Sequence, residues 1–209
     1  LYVSSEWRRS IVLEAQARIS ALQALIRPHF LFNSMNTIAA LTRTDPRQAE
    51  EAVEDLSDLL RASLSSNRNR TTLKEELEVA AIYNRIEKLR LGDRLRLRWD
   101  IDDLPMRARI PSLTIQPLIE NAIYHGIELL PEGGDVSISG KRDGKYLTIT
   151  VTNPVAAGKH RDKDGNKMAL ANIRQRFELA YGSRATVAID QGDDSYSVTL
   201  RFPAEESAS

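Results

Sequence analysis

The sequence predicts an α+β protein in two parts: a helical hairpin that pairs with a second copy, over residues 1–68, and a layered α/β sandwich over residues 69–209. Three observations predict this. Apolar residues recur at helical spacing through the first third, with one break at Thr44-Asp45-Pro46. From residue 136 onward, short alternating runs are separated by Asp-Gly and Gly-Asp turn signals. The composition, 42% hydrophobic and 28% charged over 209 residues, suits a packed core rather than disorder.

The elements follow in order. Residues 11–26 place Val12, Ala15, Ile19, Leu22 and Ile26 at steps of three and four, the spacing of a coiled coil. Two heptads suit a helix paired with a partner and an ordinary amphipathic helix equally well. The pattern runs on to about Leu41, with Pro28 kinking or restarting the helix. Asp45 is placed to cap a second helix that has Pro46 at its first position. Ala49, Ala52, Val53, Leu56, Leu59, Leu60 and Ser63 give that helix one apolar stripe. The seam between two such helices is thin, so dimerisation into a four-helix bundle is the economical solution. Residues 65–70 are polar and read as a linker.

Thr72 and Glu75 form a capping-box signature for a third helix, closed by Gly92-Asp93. Residues 94–101 alternate as a half-buried strand does. A helical segment is expected from near Ser112 to Gly126. Strands are expected at 136–142, 146–153, 185–191 and 195–202, in two hairpins turned at Asp143-Gly144 and Gly192-Asp193. Between the hairpins lie a loop, 154–166, and a helix ending at Tyr181 and Gly182. A charged, glycine-containing loop of that length is usually a lid or a disordered segment.

Composition narrows the function. Lys plus Arg and Asp plus Glu both number 29, so no global field directs the chain to nucleic acid. Cysteine is absent, which excludes disulfides and thiolate metal sites. No apolar run approaches the ~18 residues of a membrane span, and there is no signal peptide. The chain begins Leu-Tyr-Val-Ser without methionine and soon turns helical. It reads as an excised piece whose upstream part is missing.

Two polar boxes carry the candidate chemistry. In Arg-Pro-His-Phe-Leu-Phe-Asn, residues 27–33, Asn33 follows His29 by four and shares its helical face. In Gln-Pro-Leu-Ile-Glu-Asn-Ala-Ile-Tyr-His-Gly, residues 116–126, Glu120, Asn121 and His125 interrupt an apolar helix. Burying such groups without partners costs roughly 1–3 kcal/mol each, so they face a cavity, water or a ligand, or close a helix end with satisfied groups. An adjacent carboxylate and amide suit Mg²⁺, which takes oxygen ligands. His160 has no second ligand at a metal-site spacing and reads as a solvated lid residue.

Together the boxes resemble the LytS/YehU-type sensor histidine kinases. His29 with Asn36 resembles their phosphoacceptor box, and residues 116–126 resemble the N box of the GHKL (Bergerat-type) ATPase fold. Glu76-Leu77 with Tyr83, Ile86 and Arg90 resembles the segment that introduces that fold, and residues 169–177 the helix after its glycine box. The likeness runs over about residues 18–203, and Arg-Pro-His with Asn153-Pro154 is most similar to the AlgZ/FimS branch.

The resemblance implies roles. His29 takes the γ-phosphate of ATP and passes it to an aspartate of a response regulator, of the LytTR type by family. Asn121 holds Mg²⁺, Glu120 accepts the imidazole proton, and Asn33 orients His29 or a water. Asn153 faces the adenine, with His125, Gly126, Gly165, Lys167, Leu170, Asn172 and Arg176 also around the nucleotide. The protein is then a homodimer, the cytoplasmic portion of a bacterial inner-membrane protein, joined to the membrane only through the missing N-terminal region and not acting on nucleic acid directly. Departures point to a second reading. Asn153-Pro154-Val155-Ala156-Ala157-Gly158 stands where the family has Asp-x-Gly-x-Gly, and two of three glycines are gone from Gly165-Asn166-Lys167-Met168-Ala169-Leu170. Glycines let backbone amides approach phosphate closely. Their loss suits a degenerate kinase that acts as a phosphatase or scaffold for the regulator. The 155–166 lid is expected to be mobile without nucleotide; hydrogen exchange there as slow as in the strands would contradict this.

Overall fold

The computed structural model describes residues 28–64, 69–156 and 163–206, with the side chains of residues 163–167 outside that description. The expected helix at 11–26, linker residues 65–68 and the middle of the lid with His160 therefore lie outside the described residues. The chain divides into two units, Leu1–Ser65 and Ser66–Ser209.

In the first unit, α1 (Pro28–Thr44) and α2 (Pro46–Leu64) are separated by Asp45 alone. The expected cap is present: the Asp45 carboxylate accepts the Gln48 amide at 3.0 Å. Phe30, Ser34 and Ile38 are buried on α1, and Ala49, Ala52, Leu56, Leu59 and Ser63 on α2. Small residues at Ala49 and Ala52 let the helices approach. The buried hydroxyls of Ser34 and Ser63 donate to the carbonyls of Phe30 and Leu59 in their own helices. A second apolar set, Phe32, Met35, Val53 and Leu64, is exposed.

The second unit opens with β1 (Arg70–Thr72), a strand that the sequence does not announce, and runs directly into α3 (Leu73–Leu91). The capping box forms: Glu75 N–H donates to Thr72 Oγ1, and Thr72 N–H to the Glu75 carboxylate at 2.9 Å. Gly92, at φ +57°, ends the helix in a conformation that a side chain disfavours. A single 3₁₀ turn then leads into β2 (Leu95–Asp100).

A second unannounced strand, β3 (Arg109–Pro111), pairs antiparallel with β1. It is followed by α4 (Ile115–His125), which starts three residues later than expected. The cause is Leu113, whose φ of +56° cannot belong to a right-handed helix. β4 (Gly134–Asp143) and β5 (Tyr146–Pro154) form the first hairpin. α5 (Lys163–Tyr181) begins inside the stretch read as loop, so Gly165 and Asn166 have helical backbone. β6 (Thr186–Gln191) and β7 (Ser195–Pro203) form the second hairpin.

The five-stranded sheet has the order β2-β4-β5-β7-β6, parallel between β2 and β4 and antiparallel elsewhere. Alternation divides its faces. Val136, Ile138, Leu147, Ile149, Val151, Val198, Leu200 and Phe202 are buried. The intervening positions carry serine and threonine, with Thr150 and Thr199 paired by their hydroxyls across the β5–β7 register. Ile173, Phe177 and Tyr181 of α5 are buried, and the Phe177, Tyr181 and Phe202 rings lie 5.5–5.6 Å apart between centroids. This is the expected α+β layering.

The end of the unit is stitched to its beginning. Arg70 pairs with Glu205 at 2.8 Å, and Arg184 pairs with the same carboxylate at 3.0 Å. The Arg109 amide donates to the Glu205 carbonyl at 2.7 Å, and the Tyr181 hydroxyl to the Arg109 carbonyl at 2.6 Å. Phe177 and Phe202 are the largest fully buried side chains among the described residues. Phe177→Ala is therefore expected to cost ~3–5 kcal/mol of stability, read from the urea midpoint of the second unit's transition.

Candidate functional site

The second polar box lies on α4, and both ends of that helix are fixed from outside. At its start, the Glu76 carboxylate of α3 accepts the amides of Leu113, Thr114 and Ile115 at 2.6, 2.8 and 2.9 Å. These are the donors that a helix N-terminus leaves without an internal partner. Glu76 is buried, and burial pushes its carboxyl above its ordinary value; the three amides and the Arg176 charge work against that push. Arg176 of α5 supplies the complementary half. Its guanidinium donates to the carbonyls of Ser112 and Leu113 at 2.9 and 3.1 Å. The turn before α4 is thus held by its donors from one helix and by its acceptors from another.

At the other end, Arg94 donates to the Leu130 carbonyl at 2.9 Å in the 3₁₀ turn after α4. Arg90 of α3 bridges the carboxylates of Glu87 and Glu128, tying α3 to that same turn. Gly126 closes α4 where the chain has no room for a side chain. A Cβ there would stand 2.4 Å from Asn153 Nδ2, 2.5 Å from the Ala122 carbonyl and 2.7 Å from the Pro154 carbonyl. The absence of that carbon lets the end of β5 lie against the end of α4. Gly134 is similarly tight, with its Cβ position 2.5 Å from Pro154 Cγ.

Two residues named from the sequence, Gly126 and Asn153, are therefore neighbours. Asn153 is buried, and its amide donates to the Pro154 carbonyl at 2.8 Å. Asn121, also buried, lies on α4 one turn before His125. Glu120 is half-buried and accepts the Gln116 amide at 3.2 Å. Tyr124 meets the His125 ring edge-to-face at 4.9 Å. Glu120 and Asn121, adjacent on α4, offer a carboxylate and an amide, the oxygen-donor types that a hard cation takes.

The remaining candidates are more dispersed. Leu170 is buried in the core and Asn172 is exposed on α5. Arg176, expected beside phosphate, has the turn carbonyls as its partners. Gly165 lies in α5, and the side chain of Lys167 is outside the described residues. In the other unit, His29 and Asn33 sit on one exposed face of α1, with the Asn33 amide nitrogen 3.2 Å from both ring nitrogens.

Glu76, named from the sequence only as part of the segment that introduces the fold, is the organising carboxylate of this turn. The signal was there: Leu73, Glu76, Leu77 and Ala80 form one inward stripe, and a carboxylate in such a stripe needs partners.

Comparisons with known proteins bear on both boxes. Residues 17–95 match the histidine kinase family model. Sensor histidine kinase BtsS of Escherichia coli is 34% identical over 212 residues, covering 99% of this chain and 37% of the relative. Sensor protein LytS of Streptococcus agalactiae is 32% identical over 203 residues, covering 91% and 35%. The chain thus spans little more than a third of the length of these curated relatives. The histidine kinase domain of the blue-light-activated histidine kinase EL346 of Erythrobacter litoralis has the same fold, with a TM-score of 0.51 at 15% identity over 93% of this chain and 94% of that one.

Glu76 is the clearest target for mutation. Glu76→Gln turns one acceptor into a donor facing three amides. It is expected to cost ~1–3 kcal/mol in urea unfolding, more than Glu75→Gln at the exposed capping box.

Proposed function

The chain belongs to the sensor histidine kinases of the LytS and BtsS kind, and on that premise we propose that it is the kinase core of a two-component system. It autophosphorylates on His29 with ATP and passes the phosphoryl group to an aspartate of a response regulator, of the LytTR type. The observation that carries this reading is the junction of α4 and β5. It brings Gly126 against Asn153, with Asn121 on the same helix, in a chain that also presents an exposed His29.

In this reading an imidazole nitrogen of His29 attacks the γ-phosphorus, the bond to the β-phosphate oxygen breaks, and ADP leaves. Such transfer depends mainly on alignment and on neutralising charge. Asn33, already 3.2 Å from the His29 ring, orients the nucleophile. Glu120 takes the imidazole proton; the residue after the histidine is Phe30, which offers no base. Asn121 is a ligand for Mg²⁺, which when bound neutralises phosphate charge. Asn153 meets the adenine through its side-chain amide, a weaker partner than a carboxylate because it carries no charge. By resemblance His125, Gly126, Gly165, Lys167 and Asn172 belong to the nucleotide surroundings, and Leu170 supports them from the core.

The protein acts as a homodimer. Phe32, Met35, Val53 and Leu64 leave an exposed apolar set on the helical hairpin, which a second copy covers as a four-helix bundle. The kinase core is the cytoplasmic portion of an inner-membrane protein. Among the described residues no helix is long and apolar enough to cross a membrane.

The lost glycines around Asn153 and Gly165 favour one alternative, a degenerate kinase that dephosphorylates or holds the regulator. Incubation with labelled ATP and Mg²⁺ is expected to give an acid-labile, base-stable phosphoprotein. His29→Gln abolishes the label, and Asn121→Ala lowers its rate by a factor on the order of 10²–10³. Label persisting in His29→Gln would remove His29 from the mechanism. Absence of calorimetric ATP–Mg²⁺ binding would leave the scaffold reading in place of the kinase.

A further inference from the structure

The guanidinium of Arg176 has a task other than meeting phosphate. We infer that Arg176 is a positioning residue. With Glu76 it locks the turn at residues 112–114, and so couples α5, the helix that follows residues 157–162, to α4, the helix that carries Asn121.

The turn needs a lock. Leu113 is the one non-glycine among the described residues with a positive φ, +56°. A leucine holds that conformation only where its surroundings enforce it. Glu76 takes the amides of residues 113–115, and Arg176 fills the carbonyls of residues 112 and 113. The Arg176 charge and the three amides work against the burial that pushes the Glu76 carboxyl up, so the two side chains act on one turn from opposite sides. Neither suffices alone. Without Arg176 the carbonyls lose a charged donor, and Glu76 loses the cation that balances it in a buried place.

The consequence for the site follows from helix geometry. Asn121 lies seven residues past Thr114, or about 10 Å along a stiff helix. A shift of the turn moves Asn121 with it. The sides of this lever are unequal. Glu76 belongs to α3, which packs on α4 and is tied to the 3₁₀ turn after it through Arg90 and Glu128. Arg176 belongs to α5, whose first residues carry the remaining glycine of the glycine box, Gly165. Arg176 is therefore the link by which the phosphate end of the site and the metal end share one geometry.

The inference rests on the kinase reading above for its link to Mg²⁺, but not for the lock itself. The test uses the whole chain with Arg176→Met and Arg176→Lys. In Arg176→Met, amide hydrogen exchange at residues 113–115 is expected to accelerate about tenfold while β5 amides keep their protection. The Mg²⁺ concentration for half-maximal autophosphorylation rises severalfold. Arg176→Lys keeps the charge and one donor, and restores both readouts part of the way. If Arg176→Met unfolds, Arg176→Lys carries the same two measurements. Unchanged exchange at residues 113–115 overturns the inference, and ADP affinity that falls tenfold with exchange unchanged assigns Arg176 to phosphate instead. If the wild-type chain binds no nucleotide, the kinase reading fails, and exchange at residues 113–115 still decides the lock.

Discussion

A carboxylate buried at a helix N-terminus sets the terms for the rest of the second unit. Removing an ionisable group from water is unfavourable unless its lone pairs are met. Glu76 meets this condition by taking three amides that α4 itself cannot satisfy. The solution binds three helices at once. α3 must lie where its carboxylate reaches the turn, α4 must begin where the amides converge, and α5 must present a cation to the same spot. Hydrophobic burial packs these helices on the sheet, but it is not directional. The charged turn supplies the direction.

The far end of α4 is governed by the opposite device, a missing atom. Gly126 leaves room for the end of β5, so the last residue before the turn and Asn153 share one surface. Arg90 and Arg94 hold the 3₁₀ turn beyond it. A helix fixed at both ends and packed on a sheet is a rigid mount, and Glu120, Asn121 and His125 ride on it. Preorganised polar groups act with less reorganisation than mobile ones, which is the advantage of placing the second polar box on this helix rather than on a loop.

Much of this was legible wherever the cause was local. The Asp45 cap, the Thr72–Glu75 capping box and the alternation of β4, β5 and β7 each depend on residues within a few positions of one another, and each has the form that the sequence predicts. β1 and β3 were not, because three residues show no period and their partners lie about 39 positions apart. The late start of α4 was hidden because leucine gives no sign of a positive φ. The early start of α5 was hidden because Gly165 reads as a loop residue when only its neighbours are seen. The site shows the same division. His29 with Asn33 is an i, i+4 relation and was visible. The meeting of Gly126 and Asn153 is made by sheet topology across 27 positions, and only the resemblance of the two boxes to one family placed them together beforehand.

The stitch between Arg70 and Glu205 has a mechanical meaning. The chain enters the second unit at β1 and reaches its last described residues beside the same strand. Load that enters at Arg70 is therefore not borne by α3 alone. It divides at Arg70, one branch running along α3 toward Glu76 and the other crossing to the tail of β7, an inner strand of the sheet. The first strand of the unit and its last described residues share this anchor, so load at Arg70 reaches the helix layer and the sheet together.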